Sequence, residues 1–270
     1  MQPLFISNLP LSFTKKIHDH QRMYSVTMLM HDEGATTVIP CSGTLAQINK
    51  RKGIITARHV WDEVKKHDFL LTLVGEGNYA FETRYLMPVI PDPIGILSEF
   101  NVTVPDIAFI VIPERHVSHL EASGKVFFSI DIRIDVNSCP IDTKQGYWAV
   151  FANPSEWLDI DNRTVASFVY GTVLSKLIDA DGWDYLVMNL DIEANPEIPR
   201  DFSGMSGGGI WWTRFSCDER LENFSVENPT EDIMIAGVSF CQTHIRERRI
   251  IGHGPKSIYE LLYKHVKQSI

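Results

Sequence analysis

The segment Phe202-Ser203-Gly204-Met205-Ser206-Gly207-Gly208-Gly209 sets four glycines around Ser206. Glycine loses more conformational freedom on folding than any other residue, so such a segment belongs where the backbone needs unusual dihedrals or a close approach. A serine nucleophile has both needs. Its hydroxyl must be exposed, and backbone N–H groups, here those of Gly204 and Ser206, must point at the oxyanion that develops when it attacks a carbonyl. The hydroxyl is weakly nucleophilic at neutral pH and requires an adjacent base. Histidine titrates in the right range. Of the ten histidines, His59 stands out, because it follows the apolar run Gly53-Ile54-Ile55-Thr56-Ala57 at the start of a short helical pattern. An imidazole acting as base needs a carboxylate to orient it. Asp106 heads the apolar run Ile107-Ala108-Phe109-Ile110-Val111-Ile112, and a carboxylate there requires a partner. Asp62 and Asp92 are rivals for that role. Together these residues suit acyl transfer.

The elements that must position them are mostly strands. Tyr24–Met30, Thr36–Ile39, Gly53–Thr56, Phe69–Leu73, Ile107–Ile112, Tyr147–Phe151, Val165–Val173, Tyr185–Leu190 and Ile233–Phe240 are rich in Val, Ile, Phe, Tyr and Thr. Turn formers such as Asp32-Glu33-Gly34, Pro91-Asp92-Pro93 and Asp179-Ala180-Asp181-Gly182 separate them. Many short strands with frequent turns predict an all-β sandwich or barrel. Two helices are expected. One covers residues 57–66. The other runs from Lys256 to about Lys267, with Ser257 and Glu260 as a capping box and Ile258, Leu261, Leu262 and Val266 on one face. Residues 114–145, bounded by Pro113 and Pro140, read as a linker between an N-terminal unit (1–125) and a C-terminal unit (126–270). Trp211-Trp212 reads as core.

With 44% hydrophobic and 22% charged residues the chain is composed like a globular protein that buries a sizeable core. Its net charge of −9 disfavours nucleic acid and anionic membrane as partners. Lys50-Arg51-Lys52 and Arg246-Glu247-Arg248-Arg249 read as solvated strand ends. No apolar run approaches the length of a membrane span, and the first residues lack a secretory pattern. Cys41, Cys139, Cys217 and Cys241 form no CxxC pair, so no zinc site is expected, and four thiols without an export signal suggest a reducing, cytoplasmic setting. The sequons at Asn101, Asn162 and Asn223 matter only in a secreted chain. His18 with His20, and His116 with His119, lack carboxylate or thiol companions and read as surface histidines rather than metal ligands. No cofactor is implied.

Three segments together resemble the trypsin/chymotrypsin-like serine peptidases. Cys41-Ser42-Gly43-Thr44-Leu45, with Ile55-Thr56-Ala57-Arg58-His59-Val60, is similar to that family's histidine block. Asp106-Ile107-Ala108 is similar to its aspartate block, and Gly204-Met205-Ser206-Gly207-Gly208 to its serine block. They stand in the family's order, 47 and 100 residues apart, against about 45 and about 93 in the chymotrypsin triad. Weaker likenesses, Ala149-Val150-Phe151-Ala152-Asn153-Pro154 and Gly171-Thr172-Val173-Leu174-Ser175, point to bacterial, HtrA-like members, and the resemblance spans roughly 36–242.

The resemblance implies two antiparallel β-barrels and a C-terminal helix, with His59 and Asp106 in the first barrel and Ser206 in the second. It implies a serine endopeptidase that forms an acyl-enzyme with a protein or peptide substrate. Gly237-Val238-Ser239-Phe240 resembles the strand that pairs with substrate, so Ser239 and Phe240 are candidate substrate-binding residues. Arg200 and Asp201 stand where the family builds its specificity pocket. Arg200 would favour an acidic side chain and Asp201 a basic one, or the two would pair with each other.

The departures also carry information. Val60 occupies the position of the cysteine that pairs with the Cys41 equivalent in secreted members. Met205 replaces the aspartate that receives a cleaved N-terminus in zymogen-activated members. Only 28 residues follow position 242, too few for the PDZ domain of HtrA-like proteins. Two competing readings remain. The first is an α/β-hydrolase esterase, for which Gly204–Gly208 would be the nucleophile elbow and Asp232 and His253 the partners. Asn195-Pro196-Glu197-Ile198-Pro199 before that elbow opposes it. The second is a latent or inactive peptidase-fold binding module awaiting a regulatory partner.

Overall fold

A computed structural model of the chain describes residues 9–31, 39–74, 77–135, 141, 146–159, 164–165, 167–172, 174–190, 198–218, 224–243 and 248–269. After a helix, Leu11–Arg22, seven strands form the first large sheet. They are β1 (Ser25–His31), β2 (Ile39–Ile48), β3 (Arg51–Thr56), β4 (Phe69–Val74), β5 (Gly77–Glu82), β6 (Met87–Val89) and β7 (Ala108–Val111). Their order is β5-β4-β1-β2-β3-β7-β6, all antiparallel, and Phe128–Ser129 adds parallel to β2. The β2–β3 hairpin turns at Asn49 and Lys50, both with positive φ, as the twist of a tight hairpin requires.

The second sheet has β8 (Tyr147–Ala152), β9 (Phe168–Thr172), β10 (Leu174–Ala180), β11 (Trp183–Asn189), β12 (Gly209–Thr213), β13 (Ile233–Thr243) and β14 (Arg249–His253). Their order is β9-β8-β12-β13-β14-β11-β10, again antiparallel. The described residues are thus mostly β, with two large, mainly antiparallel sheets and, among them, no parallel α/β sheet to seat an esterase elbow.

Both sheets are open among the described residues, where closed barrels were expected. Their end strands are nonetheless neighbours in sequence. β5 and β6 are joined through the 3-10 turn Thr83–Tyr85, and β9 and β10 are separated by one residue. Such links reach at most about 18 Å and about 7 Å, whereas a flat seven-stranded sheet is about 29 Å across. Each sheet must therefore curl enough to bring one end of each edge strand within that reach. The edges are held by the covalent chain, and the very short β6 provides little ladder to close with.

One core joins the sheets. Trp211 and Trp212 are both buried, but alternation along β12 sends them to opposite faces. Trp211 joins the large cluster with Leu45, Ile54 and Phe109 of the first sheet, and Trp212 packs with Trp148, Leu186 and Phe202. The C-terminal segment opens as a π-helical Ser257–Leu262 and continues as an α-helix, Tyr263–Ser269. It lays Ile258, Leu262 and Val266 on the large cluster, while Leu261 is half-buried at its side. The expected Ser257–Glu260 capping box does not form. The buried Asp184 carboxylate accepts the Lys256 and Ser257 N–H groups at 3.0 and 2.6 Å, and the Ser257 hydroxyl donates to the Asp184 carbonyl at 2.9 Å. A side chain 73 residues distant in sequence thus caps the helix.

The expected linker is structured where it is described. It holds helices Glu114–Ala122 and Ile130–Asp135 and the strand Phe128–Ser129, while residues 136–140 and 142–145, with Pro140 and Cys139, lie outside the described residues. The helix Leu11–Arg22, which was not expected, packs Phe13 and Ile17 on Tyr147 and Ala149 of β8. Among the described residues no helix is long and apolar enough to cross a membrane.

Replacing Asp184 removes two charge-assisted hydrogen bonds from a buried helix start. Asp184→Ala is expected to lower unfolding free energy by about 2 kcal/mol, read from urea denaturation, with Asp184→Asn losing less.

Candidate active site

His59 reaches the cleft because of how its helix packs. Ala57 is extended (φ −73°, ψ 147°) and starts the helix Arg58–Val64, whose Val60, Trp61 and Val64 are buried. The His59 side chain is left 53% exposed. β7 runs beside β3 with Thr56 opposite Ala108, so the residue two positions before β7, Asp106, lies next to the helix start. Its carboxylate makes two bonds to one residue. Oδ1 accepts the His59 backbone N–H at 2.9 Å, and Oδ2 lies 2.6 Å from His59 Nδ1. The first bond caps the helix; the second fixes the ring. His59 Nε2 then stands 3.0 Å from Ser206 Oγ. The rival carboxylates are elsewhere: Asp62 pairs with Lys65 at 2.6 Å, which holds its carboxyl below the usual range, and Asp92 is exposed.

The loop bearing Ser206 precedes β12 and is stapled to the first sheet. The Ser42 N–H donates to the Ser206 carbonyl at 3.2 Å. The Ser42 hydroxyl donates to the Gly204 carbonyl at 2.7 Å and accepts the Asn153 N–H at 2.9 Å. Thr44 Oγ1 donates to the Gly207 carbonyl at 3.2 Å. Gly207 has φ +90°, and a Cβ there would lie 2.1 Å from both the Ser42 carbonyl oxygen and Thr56 Oγ1. Only glycine permits that approach. Gly204 has φ +85°, and a Cβ would meet Ser155 Oγ at 2.6 Å and the Asn153 carbonyl at 2.9 Å. The Ser155 N–H holds the Ser203 carbonyl at 2.7 Å, so the N–H of the same peptide, that of Gly204, points the other way. Among the described residues no protein acceptor engages the Gly204 or Ser206 N–H.

The remaining candidate residues are placed differently from one another. Ser239 is buried, and its hydroxyl donates to the Met205 and Gly208 carbonyls at 2.8 and 3.1 Å, so it supports the loop. The Phe240 carbonyl lies 3.4 Å from Ser206 Oγ. Ser239 and Phe240 line a cleft of about 590 Å³ together with His59, Ser206, Phe202, Met205, Cys241, Gln242 and Ile250, and with Met30, Pro40, Cys41, Val60 and Glu63 of the first half. Arg200 and Asp201 are not in that lining. They are exposed, their N–H groups both reach Glu156, and the Asp201 carboxylate accepts the Ser203 N–H and hydroxyl at 2.9 and 2.7 Å.

Cys41, Cys217 and Cys241 are free thiols, and burial pushes Cys41 well above the ordinary thiol range. His18 Nε2 meets the Tyr147 hydroxyl at 2.6 Å, His20 packs on Tyr24, and His116 Nδ1 meets the Tyr79 hydroxyl at 2.5 Å. The described residues contain no group of three or more metal-ligating side chains. The esterase partners are occupied otherwise: Asp232 pairs with Arg214 at 2.6 Å, and His253 Nε2 lies 3.0 Å from the Asp106 N–H.

Sequence reasoning missed Ser42, Ser155 and the true place of His253. Ser42 and Thr44 flank Gly43 in a mostly apolar strand, and that was the available signal. Ser155 and His253 gave none, since their roles rest on long-range packing.

No protein-family model and no curated protein matches the chain in sequence. Solved structures match it. The Rv3671c protein of M. tuberculosis H37Rv, as an inactive-form mutant, is 14% identical over 97% of this chain and 95% of its own, with a TM-score of 0.51. The active form of the M. tuberculosis Rv3671c protease is likewise 14% identical, over 92% of this chain and 83% of its own, with a TM-score of 0.51. At that identity the likeness speaks for architecture alone: this chain has the two-sheet fold of the trypsin-like serine proteases.

Proposed function

We propose that the chain is a serine endopeptidase that cleaves protein or peptide substrates through an acyl-enzyme. The observation that carries this reading is the continuous array from Asp106 Oδ2 through His59 to Ser206 Oγ, with contacts of 2.6 and 3.0 Å. A general base must stand within hydrogen-bond reach of the proton it takes, and His59 Nε2 does. In the first step His59 accepts the Ser206 proton as Oγ attacks the substrate carbonyl, and Asp106 stabilises the imidazolium and its orientation. The oxyanion is held by the N–H groups of Gly204 and Ser206. His59 then gives its proton to the leaving amine, and water, activated by the same base, hydrolyses the acyl-enzyme. No step calls for a metal or a cofactor.

The absence of a protein acceptor for the Gly204 and Ser206 N–H groups among the described residues supports a site competent in the isolated chain over one awaiting a partner. β13 lines the cleft from Ser239 to Gln242, a strand along which an extended peptide can lie. The walls beside Ser206 are chiefly apolar, with Phe202, Met205, Phe240 and Ile250, and among the described residues the one carboxylate of the lining, Glu63, is paired with Lys66 at 2.6 Å. This supports substrates that place an uncharged, apolar side chain beside the bond to be cut.

A fluorophosphonate probe is expected to label the wild type and neither Ser206→Ala nor His59→Ala; a folded wild type that stays unlabelled overturns the reading. Asp106→Asn is expected to lower kcat by about 10⁴-fold, the loss seen when the orienting aspartate of such a triad is changed. Gly204→Ala is expected to keep the fold and lose about 10²- to 10³-fold in kcat as the Ser203–Gly204 peptide is displaced. In a peptide series, kcat/KM for Leu or Phe on the acyl side of the cut bond is expected to exceed that for Asp or Arg by over about 10-fold.

A further inference from the structure

The group beneath Asp106 is a second histidine. His253 ends β14 with no solvent exposure. Its Nε2 lies 3.0 Å from the Asp106 backbone nitrogen, which donates. Nε2 therefore carries a lone pair, and the ring proton sits on Nδ1. That Nδ1 meets no hydrogen-bond partner among the described residues. Phe240, Tyr185 and Trp183 enclose the ring at centroid distances of 4.7, 5.2 and 5.8 Å. Burial, outweighing the nearby Asp106 charge, pushes the ring's pKa down to about 4 and keeps it neutral at working pH.

A buried ring with one orphaned donor is unfavourable where an apolar side chain would fill the same space. Its single hydrogen bond ends on the peptide of the residue that aims His59. We infer that His253 is a positioning residue: its neutral Nε2 pins the Asp106 peptide so that one carboxylate oxygen meets the His59 N–H and the other meets Nδ1. The strand behind it is fixed, because β14 pairs with both β11 and β13 and the next N–H, that of Gly254, donates to the Asp184 carbonyl at 2.8 Å. Phe240 connects both sides of the site, since its ring packs on His253 while its carbonyl stands near Ser206 Oγ. This inference rests on the peptidase reading for its effect on rate, although the hydrogen bond itself is independent of turnover.

The test compares His253→Leu, which removes the acceptor, with His253→Gln, whose amide oxygen can reach the same N–H, and with His253→Asn, which is polar but too short. Each full-length variant is checked for folding by circular dichroism. Two quantities are then read: kcat and KM on a peptide substrate, and the far-downfield proton resonance of the His59 Nδ1–H bonded to Asp106. Leu and Asn are expected to lower kcat by about 10²-fold with KM nearly unchanged, the size of loss that small misplacement of a catalytic group produces. Both should also shift or broaden the resonance, and Gln should restore both readouts. Wild-type kcat in His253→Leu overturns the inference. So does equal impairment of Gln and Asn with an unchanged resonance, which would mean that His253 only packs. If Leu does not fold, the Gln–Asn comparison decides. A wild type that neither cuts nor labels counts against the peptidase reading alone, and the resonance still judges the placement of Asp106.

Discussion

The site depends on a backbone-to-backbone approach between the two halves of the chain. Ser206 belongs to the loop before β12, and His59 and Asp106 belong to the first half. Their relative placement is only as exact as the contact between that loop and β2. Gly207 makes the contact possible by leaving no Cβ where the Ser42 carbonyl and Thr56 hydroxyl stand, each 2.1 Å from where a Cβ would be. Ser42 then fastens the loop at two points around Ser206, through its N–H to the Ser206 carbonyl and its hydroxyl to the Gly204 carbonyl. These bonds are buried or half-buried and tie peptide groups rather than long side chains, so little rotamer freedom remains for misplacement.

That contact explains why the residues that meet at the candidate site could be picked out from short blocks of sequence. The residues that make it, Ser42, Thr56, Gly204 and Gly207, lie inside the same short blocks that carry His59 and Ser206, so one stretch of sequence reports both the reactive group and its mount. Asp106 was legible for a related reason, since a carboxylate at the head of a buried strand must find a partner, and the β3–β7 register delivers the His59 helix to it. Closure of the sheets was not legible in this way. Alternating apolar runs specify strands and faces, but whether end strands meet through a ladder or through a covalent link depends on β6 having three residues and on a single residue separating β9 from β10. Periodicity does not encode either.

The helices mark the other boundary. The C-terminal amphipathic face was readable from Ile258, Leu262 and Val266, yet its cap was not. Ser257 and Glu260 offer the local solution, but Ser257 is buried and turns its hydroxyl to the Asp184 carbonyl, so the cap comes from β11 instead. Local rules fail there because the tertiary partner satisfies more donors than the local one. The helix Leu11–Arg22 escaped notice because its buried face mixes Phe13 and Ile17 with Thr14 and Gln21, which dilutes the apolar period to two residues.

Two histidines of the same site show how environment rather than residue type sets a role. His59 stands at a cleft, 53% exposed, with a carboxylate on one nitrogen and a hydroxyl on the other. Its ring is open to the cleft and engaged at both nitrogens, the geometry that the proposed proton transfer requires. His253 has no exposure, three aromatic rings around it and one backbone donor to satisfy. Charging it would place a cation in an apolar cage and break its hydrogen bond with the Asp106 N–H, so it stays a fixed acceptor. Asp106 lies between the two, its carboxylate on the exposed histidine and its peptide on the buried one. In the proposed mechanism the two act together, because a carboxylate orients a ring more exactly when its own backbone is held.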